Sequence, residues 1–222
     1  MVGKYLHHLF IARHRKGRGV HSPFVYALLE SAVFRRPTGE RLEELERARR
    51  EAGRNRTPLV IHDRGAGSGI TLKNERRVGS MVHHASVTSR SGRLLYSLAE
   101  WYEPRVILEL GTGLGISTAY LAGGADCMVH SVEGSREKHH WSGQYLGDLG
   151  LDNVRLYHQD FQSFLADHPR LLQPRSMVFL DGDHRDEPTL RMVDALMHQP
   201  GAEELLVVLD DIHWSRGMDR AW

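Results

Sequence analysis

Seven residues in the middle of the chain could do chemistry together: Glu109-Leu110-Gly111-Thr112-Gly113-Leu114-Gly115. A carboxylate closes the apolar run Val106 to Leu110, and three glycines follow at every second position. Glycine lets the main chain take positive φ and lets a ligand come close to the backbone. Ile116 to Gly123 then reads as the first turns of a buried helix. A strand, a tight glycine turn and a helix make half of a nucleotide-binding unit. A dinucleotide fingerprint, Gly-x-Gly-x-x-Gly, would place its third glycine at position 116, which is Ile116, and this argues against the rival reading of an NAD-dependent oxidoreductase. More carboxylates recur downstream at Glu133, Asp160, Asp181, Asp183, Asp210 and Asp211. Glu133 stands 22 residues after Gly111, where a carboxylate can accept hydrogen bonds from both hydroxyls of a ribose.

The elements that must position these residues are legible from Arg105 onward. Strands at 105–110, 127–133, 153–158, 176–181 and 204–210 alternate with helices at 115–123, 135–149, 161–167 and 186–198, with a further helix starting near 215. That alternation predicts an α/β fold, a Rossmann-like parallel sheet with helices on both faces and right-handed crossovers. Ligands of such sheets bind beyond the carboxyl ends of the strands. The chemistry should therefore collect at 109–115, 133, 160, 181–184 and 210–213. Burying so many carboxylates at adjacent strand ends is costly unless something positive lies among them: a cationic ligand, a divalent metal, or Arg185 or Arg216.

The pattern Glu-x-Gly-x-Gly-x-Gly resembles motif I of the class I S-adenosylmethionine (SAM)-dependent methyltransferases, and residues 92–222 resemble the small-molecule O-methyltransferases of that class. Val20-His21-Ser22-Pro23-Phe24 and Asp210-Asp211-Ile212-His213-Trp214 are similar to an uncharacterised bacterial branch. The resemblance implies SAM as cofactor, held by Glu109, Gly111, Thr112, Gly113, Gly115, Ser117, Glu133, Asp160, Phe161 and Asp181. Glu109 would orient the amino group, Glu133 the ribose, and Asp160 with Phe161 the adenine; Asp160 is equally suited to cap the helix that follows. Catechol-type members place Mg²⁺ at the fourth and fifth strand ends, here Asp181, Asp210 and Asp211; those same carboxylates could instead position SAM and cap the last helix. Their lysine base lies three residues after the first aspartate, where this chain has His184, so His184 and Asp181 are the candidate catalytic residues. Two further strands, added as a C-terminal hairpin, belong to the class I sheet. This sequence ends at Ala221-Trp222, so either it is a fragment or the hairpin is absent; in both cases Leu205 to Leu209 are expected to border an open edge, a candidate homodimer contact.

Ahead of this domain (91–222) lies an expected N-terminal extension (1–90) of helices and irregular segments. Residues 5–12 and Phe24 to Phe34 read as helices, the latter behind Ser22-Pro23 as cap and first residue. Glu40 to Gly53 reads as a charged surface helix, Gly92 to Tyr102 as an amphipathic one, and Ile70 to Arg77 as loop. Asp63 to Gly69 is a second glycine-rich segment with no apolar helix behind it. Charge is uneven: residues 1–77 hold 17 Lys/Arg against 8 Asp/Glu, the remainder 12 against 20, so the basic half could serve as an RNA platform. Its arginines are scattered rather than striped and few aromatics stand ready for stacking, which argues against nucleic acid without excluding it. The pairs His7-His8, His83-His84 and His139-His140 read as surface residues. A single cysteine, Cys127, excludes a disulfide framework and any Cys-based zinc site. No apolar run nears the roughly 18 residues of a membrane span, and the N-terminus has no signal-type apolar region, so a cytoplasmic protein is expected. The leading expectation is methyl transfer to a hydroxyl of a small molecule. An RNA methyltransferase and a SAM-binding protein with little activity stay open as alternatives.

Overall fold

The computed structural model describes residues 21–62, 73–182, 186–212 and 215–221. Its centre is a five-stranded parallel sheet in the order β5-β4-β3-β6-β7. The strands are β3 (Val106–Leu110), β4 (Met128–Glu133), β5 (Val154–His158), β6 (Ser176–Leu180) and β7 (Leu205–Leu209). The chain starts at the middle strand, winds outward through β4 and β5, then returns to wind the other way through β6 and β7. The reversal falls beside β3, and this switch point is where doubly wound sheets leave a crevice for ligand. Leu110 stands opposite both Val132 and Leu180, so the ends of β3, β4 and β6 are level. Glu133 pairs with His158, and Leu180 with Leu209, which brings the outer strand ends to the same rim.

All five residues of β3 and of β6 are buried, as strands covered on both faces must be. Alternation then divides the core. Ile107, Val129, Met177 and Phe179 face one cluster, while Leu108, Leu110, Val132, Val178 and Leu180 face another. The second cluster is completed by α7 (Phe161–Asp167) through Phe164 and Leu165, and by α8 (Asp186–Met197) through Met192 and Leu196. The first is completed by α5 (Ile116–Gly123) and α6 (Arg136–Asp148), and by helices from the N-terminal part. A short α9 (Arg216–Ala221) follows β7 and packs on α8. Each strand-to-helix step matches the sequence reading to within a residue or two.

The N-terminal part differs more. The helix expected over 24–34 is α1 (Pro23–Leu28), capped by Ser22, continued by a π-turn over Leu29–Val33. The charged helix α2 (Glu40–Arg54) is not confined to the surface: Leu42, Leu45, Glu46 and Ala52 are buried against the domain. The helix expected from Gly92 begins earlier, as α4 (Ser89–Tyr102), with Thr88 as cap. Ile70 to Arg77 was expected to be loop, yet Lys73–Arg77 forms β2, paired antiparallel with β1 (Pro58–His62) from Pro58↔Arg77 to His62↔Lys73. The segment Lys-Asn-Glu-Arg-Arg shows no apolar alternation because Glu75, Arg76 and Arg77 are all exposed; backbone pairing to β1 defines the strand. A helix not anticipated, α3 (Val78–His84), follows at once and buries Val78, Met81 and Val82. The expected helix 5–12 and the glycine-rich segment 65–69 lie outside the described residues. Among the described residues no helix is long and apolar enough to cross a membrane.

Candidate functional site

The glycine loop is held from three sides. The Gly111 and Thr112 amides both donate to the Val132 carbonyl, at 3.0 and 3.2 Å, tying the loop to β4. Gly111 has φ +114°, and a Cβ there would stand 2.3 Å from the Asp181 carbonyl oxygen, so only glycine lets β3 and β6 end this close together. The Gly115 amide donates to the Thr112 carbonyl at 2.8 Å, and Gly115, in the left-handed region, opens α5. Gly113 is different. Its φ is +55°, nothing lies within 4 Å of where a Cβ would be, and its amide donates to Glu133 Oε2 at 2.9 Å.

Two carboxylates flank this loop in opposite ways. Glu133, 7% exposed, accepts from the Gly113 amide through Oε2 and from the Ser135 amide through Oε1 at 2.8 Å, which leaves lone pairs on both oxygens. Glu109 is fully buried. Its Oε2 accepts from Thr118 Oγ1 and Ser131 Oγ, each at 2.5 Å, and Ser131 is bonded in turn to Thr112 Oγ1 at 2.6 Å. Among the described residues its Oε1 meets no donor in hydrogen-bond geometry. Burial pushes the Glu109 carboxyl above its ordinary range; the hydroxyls of Ser117, Ser131 and Thr118 pull against that, and the Glu133 charge adds to it.

Beyond β6, Asp181 is half-buried, and its carboxyl is pushed up to about 8. Burial is the main cause, followed by the charges of Asp210, Glu109 and Asp211; Lys138 opposes them. Asp210 follows β7 and accepts the Asp211 amide at 2.9 Å, while Asp211 is exposed with φ +51°. The expected metal ligands Asp181, Asp210 and Asp211 thus share one rim, but among the described residues no group of three acidic, His or Cys side chains is gathered closely enough to hold an ion. Asp160 is exposed and caps α7 by accepting the Ser163 amide at 2.9 Å; the Ser163 hydroxyl first, and then this amide, draw its carboxyl below the ordinary range. The Phe161 ring lies over Gly182, where a Cβ would meet it at 2.6 Å.

Of the expected site residues, Gly111, Gly113, Gly115, Glu133, Asp160, Phe161 and Asp181 line the strand-end rim. Thr112 and Ser117 are there too, but they are 2% and 4% exposed, with the Thr112 hydroxyl turned inward to Ser131. His184, Asp183, Arg185, His213 and Trp214 lie outside the described residues. The histidine pairs divide: His83 and His84 are exposed, whereas His139 is half-buried with its ring 5.6 Å from His158, because α6 lies over β5. Burial first, then the His158 charge, lowers the pKa of His139. Cys127 is half-buried, and burial pushes its thiol up to about 11, as suits an inert residue. Three contributors escaped the sequence reading. Ser131 and Thr118 looked like ordinary residues of a buried strand and helix. Lys138 looked like a solvated helix residue, yet it reaches the rim from the first turn of α6.

Comparison with known proteins agrees with this geometry. Residues 108–212 match the family model described as a methyltransferase domain. A Mycobacterium sp. (strain JLS) protein assigned by name to the O-methyltransferases is 27% identical over 139 residues. The match covers 60% of this chain and 60% of that protein, so the chain spans less than two thirds of the relative's length. Among solved structures, the O-methyltransferase TomG from Streptomyces achromogenes, in complex with SAM, superposes with a TM-score of 0.54 at 21% identity, over 87% of this chain and 79% of that one. An O-methyltransferase from Bacillus cereus, in complex with S-adenosylhomocysteine (SAH), gives 0.53 at 19% identity over 86% and 81%. Podospora anserina methyltransferase PaMTH1, SAH-bound, gives 0.56 at 16% identity over 85% and 68%. At these identities the structures speak to the fold. With the glycine loop and the level strand ends, residues 108–212 are similar to a methyltransferase domain, and the chain has the parallel, Rossmann-like fold of these solved structures.

Proposed function

We propose that the chain is a SAM-dependent methyltransferase that transfers a methyl group to a hydroxyl oxygen of a small-molecule acceptor. The observation that carries this reading is the pairing of Glu133 with the Gly113 amide, which sets a buried carboxylate with spare lone pairs beside an open stretch of glycine backbone. Such a carboxylate accepts from vicinal ribose hydroxyls. A second observation supports the amino-acid end of the same ligand: the orphaned, buried Oε1 of Glu109 is an acceptor awaiting a donor. SAM supplies an electrophilic methyl on a sulfonium.

The protein contributes position and charge. Gly111 and Gly113 admit the ligand to the backbone, Glu133 and Glu109 fix its two ends, and Phe161 offers a ring face at the rim. Bringing donor and acceptor into line converts a bimolecular step into an effectively unimolecular one. Burial and the charges of Asp210, Glu109 and Asp211 push the Asp181 carboxyl up to about 8, which favours its protonated form at the rim. His184 is the base this reading assigns to the acceptor hydroxyl. Because Asp181, Asp210 and Asp211 do not form a ligand set among the described residues, no step is drawn through a metal.

Calorimetric titration with SAH tests the reading. Wild type is expected to bind in the micromolar range, and Glu133→Ala roughly ten- to hundredfold more weakly, the worth of charge-assisted hydrogen bonds to two hydroxyls. A Mg²⁺ dependence that disappears in Asp181→Asn would assign the aspartate trio to an ion. A folded wild-type chain that does not bind SAH overturns the proposal.

A further inference from the structure

The bonds around Glu109 have a direction that follows from counting protons. Thr118 of α5 and Ser131 of β4 each donate to its Oε2 at 2.5 Å. A hydroxyl carries one proton to donate. Ser131 has spent its proton on Glu109, so in the 2.6 Å bond between Ser131 and Thr112 the threonine is the donor. The hydrogens therefore run one way, from Thr112 in the glycine loop to Ser131, from Ser131 to Glu109, and from Thr118 to the same oxygen. All four side chains are buried, so bulk water does not compete for these bonds.

This arrangement suits a carboxylate. A proton on Oε2 would meet two hydroxyl hydrogens, and one hydroxyl would have to turn away. If Ser131 turned, the Thr112 bond behind it would have to rearrange, and Thr112 is also held to β4 through its amide on the Val132 carbonyl. The ionisable neighbours work against the charge. Glu133 closes β4 and Asp181 follows β6, and a negative charge on either repels one on Glu109. The ionisable side chain of α5 is Tyr120, whose hydroxyl is turned to Glu46. Burial opposes the charge most, and the hydroxyls of Ser117, Ser131 and Thr118 favour it.

We infer that Ser131 and Thr118 are positioning residues that act through Glu109: they hold it as a carboxylate, and through Thr112 that carboxylate fixes the glycine loop for the methyl donor. The inference rests on the methyltransferase reading and adds to it the residues that set the charge behind the loop. The experiment compares wild type, Ser131→Ala and Thr118→Val, which remove a donor, with Thr118→Ser, which keeps one. Ser97→Ala is the control, since Ser97 of α4 is buried and its hydroxyl meets no partner among the described residues. SAH binding is titrated calorimetrically, and thermal melts without ligand are recorded, both at pH 6 and pH 8.

Removing a donor makes Glu109 harder to ionise, so the two readouts should move in opposite senses. Relative to wild type, Ser131→Ala and Thr118→Val should bind SAH about tenfold more weakly at pH 6, where they keep the proton, and recover towards pH 8. Their loss in Tm should be the smaller one at pH 6 and grow towards pH 8, where Glu109 ionises without its donor. Titration of Asp181 is common to all the chains and cancels in the ratio to wild type. Thr118→Ser and Ser97→Ala should show neither trend. The inference is overturned if either deficit is independent of pH, or if Thr118→Ser or Ser97→Ala behaves as Thr118→Val does. Should Ser131→Ala fail to fold, the Thr118 pair decides alone. A folded wild type that binds no SAH overturns the methyltransferase reading, and the melts, which need no ligand, still show whether the hydroxyls hold the charge on Glu109.

Discussion

Replacing Glu46 with alanine should loosen the whole N-terminal part from the sheet. Glu46 sits on α2, is 6% exposed, and gathers donors from two other helices. It accepts from Ser89 Oγ at 2.7 Å and Arg93 Nε at 3.0 Å, both on α4, and from Tyr120 OH at 2.9 Å, on α5. Tyr120 is 1% exposed, so its hydroxyl has no water to turn to if the carboxylate goes. Stranding a buried donor costs about 1–3 kcal/mol, and breaking a buried charged pair from one side about 3–5 kcal/mol in total. Arg93 is half-exposed and recovers solvent, which places the expected loss near the lower end, about 3 kcal/mol. For a chain of this size that is a fall in Tm of roughly 6–12 °C. Thermal and urea unfolding followed by circular dichroism at pH 7 measures it, with Glu46→Gln expected in between. Burial raises the Glu46 carboxyl, but the bonds from Arg93, Ser89 and Tyr120 outweigh it and leave the net pKa lowered. The stabilisation is therefore present at neutral pH and lost as pH falls through the folded-state value, so wild type and Glu46→Gln should converge in acid. An alanine variant within about 0.5 kcal/mol of wild type at pH 7 would refute the clamp.

Asp181 should behave in the opposite sense. Its folded-state value of about 8 lies above the ordinary aspartate range, so its proton stabilises the fold in acid and that contribution is lost as pH rises towards 8. Asp181→Asn should accordingly leave stability near pH 4 unchanged and raise it at pH 8 by about 1–3 kcal/mol, against a ceiling of roughly 5 kcal/mol from the full shift; equal Tm changes at both pH values would contradict this. Gly111→Ala drives a methyl into the Asp181 carbonyl at 2.3 Å from backbone that cannot swing aside. It should cost about 1–3 kcal/mol and abolish detectable SAH binding, whereas Gly113→Ala meets no atom and should lose only the left-handed backbone cost of about 1–2 kcal/mol; calorimetry with matched melts distinguishes the two.

The parallel sheet was legible because its signal is local and repeated. Each strand is a short apolar run, each is followed by a helix, and Glu109, Glu133, Asp181 and Asp210 mark four strand ends without reference to anything distant. The same locality explains what could not be read. Lys73 to Arg77 carries no apolar period, and it is a strand only because the edge of Pro58 to His62 lies beside it. Glu46 is one acid among many on a charged helix, and nothing in its neighbours in sequence announces Ser89, Arg93 and Tyr120. In each case a contact over long sequence separation gives an unremarkable residue its role.

The four rim carboxylates also show how the fold copes with a concentration of negative charge, and where it stops coping. Glu133 is satisfied by two backbone amides. Glu109 is half satisfied, with hydroxyls on Oε2 and, among the described residues, no donor on Oε1. Asp210 is only half-buried and bonds to the next amide. Asp181 receives the repulsion of Asp210, Glu109 and Asp211, and Lys138 opposes it. Burial and mutual repulsion therefore oppose ionising Glu109 and Asp181, across the Gly111 junction of β3 and β6. A neutral ligand would leave that cost in place. A ligand with two positive centres, an ammonium towards Glu109 and a sulfonium towards Asp181, would lower it at both ends, and that is the charge pattern of S-adenosylmethionine rather than of a nucleotide phosphate.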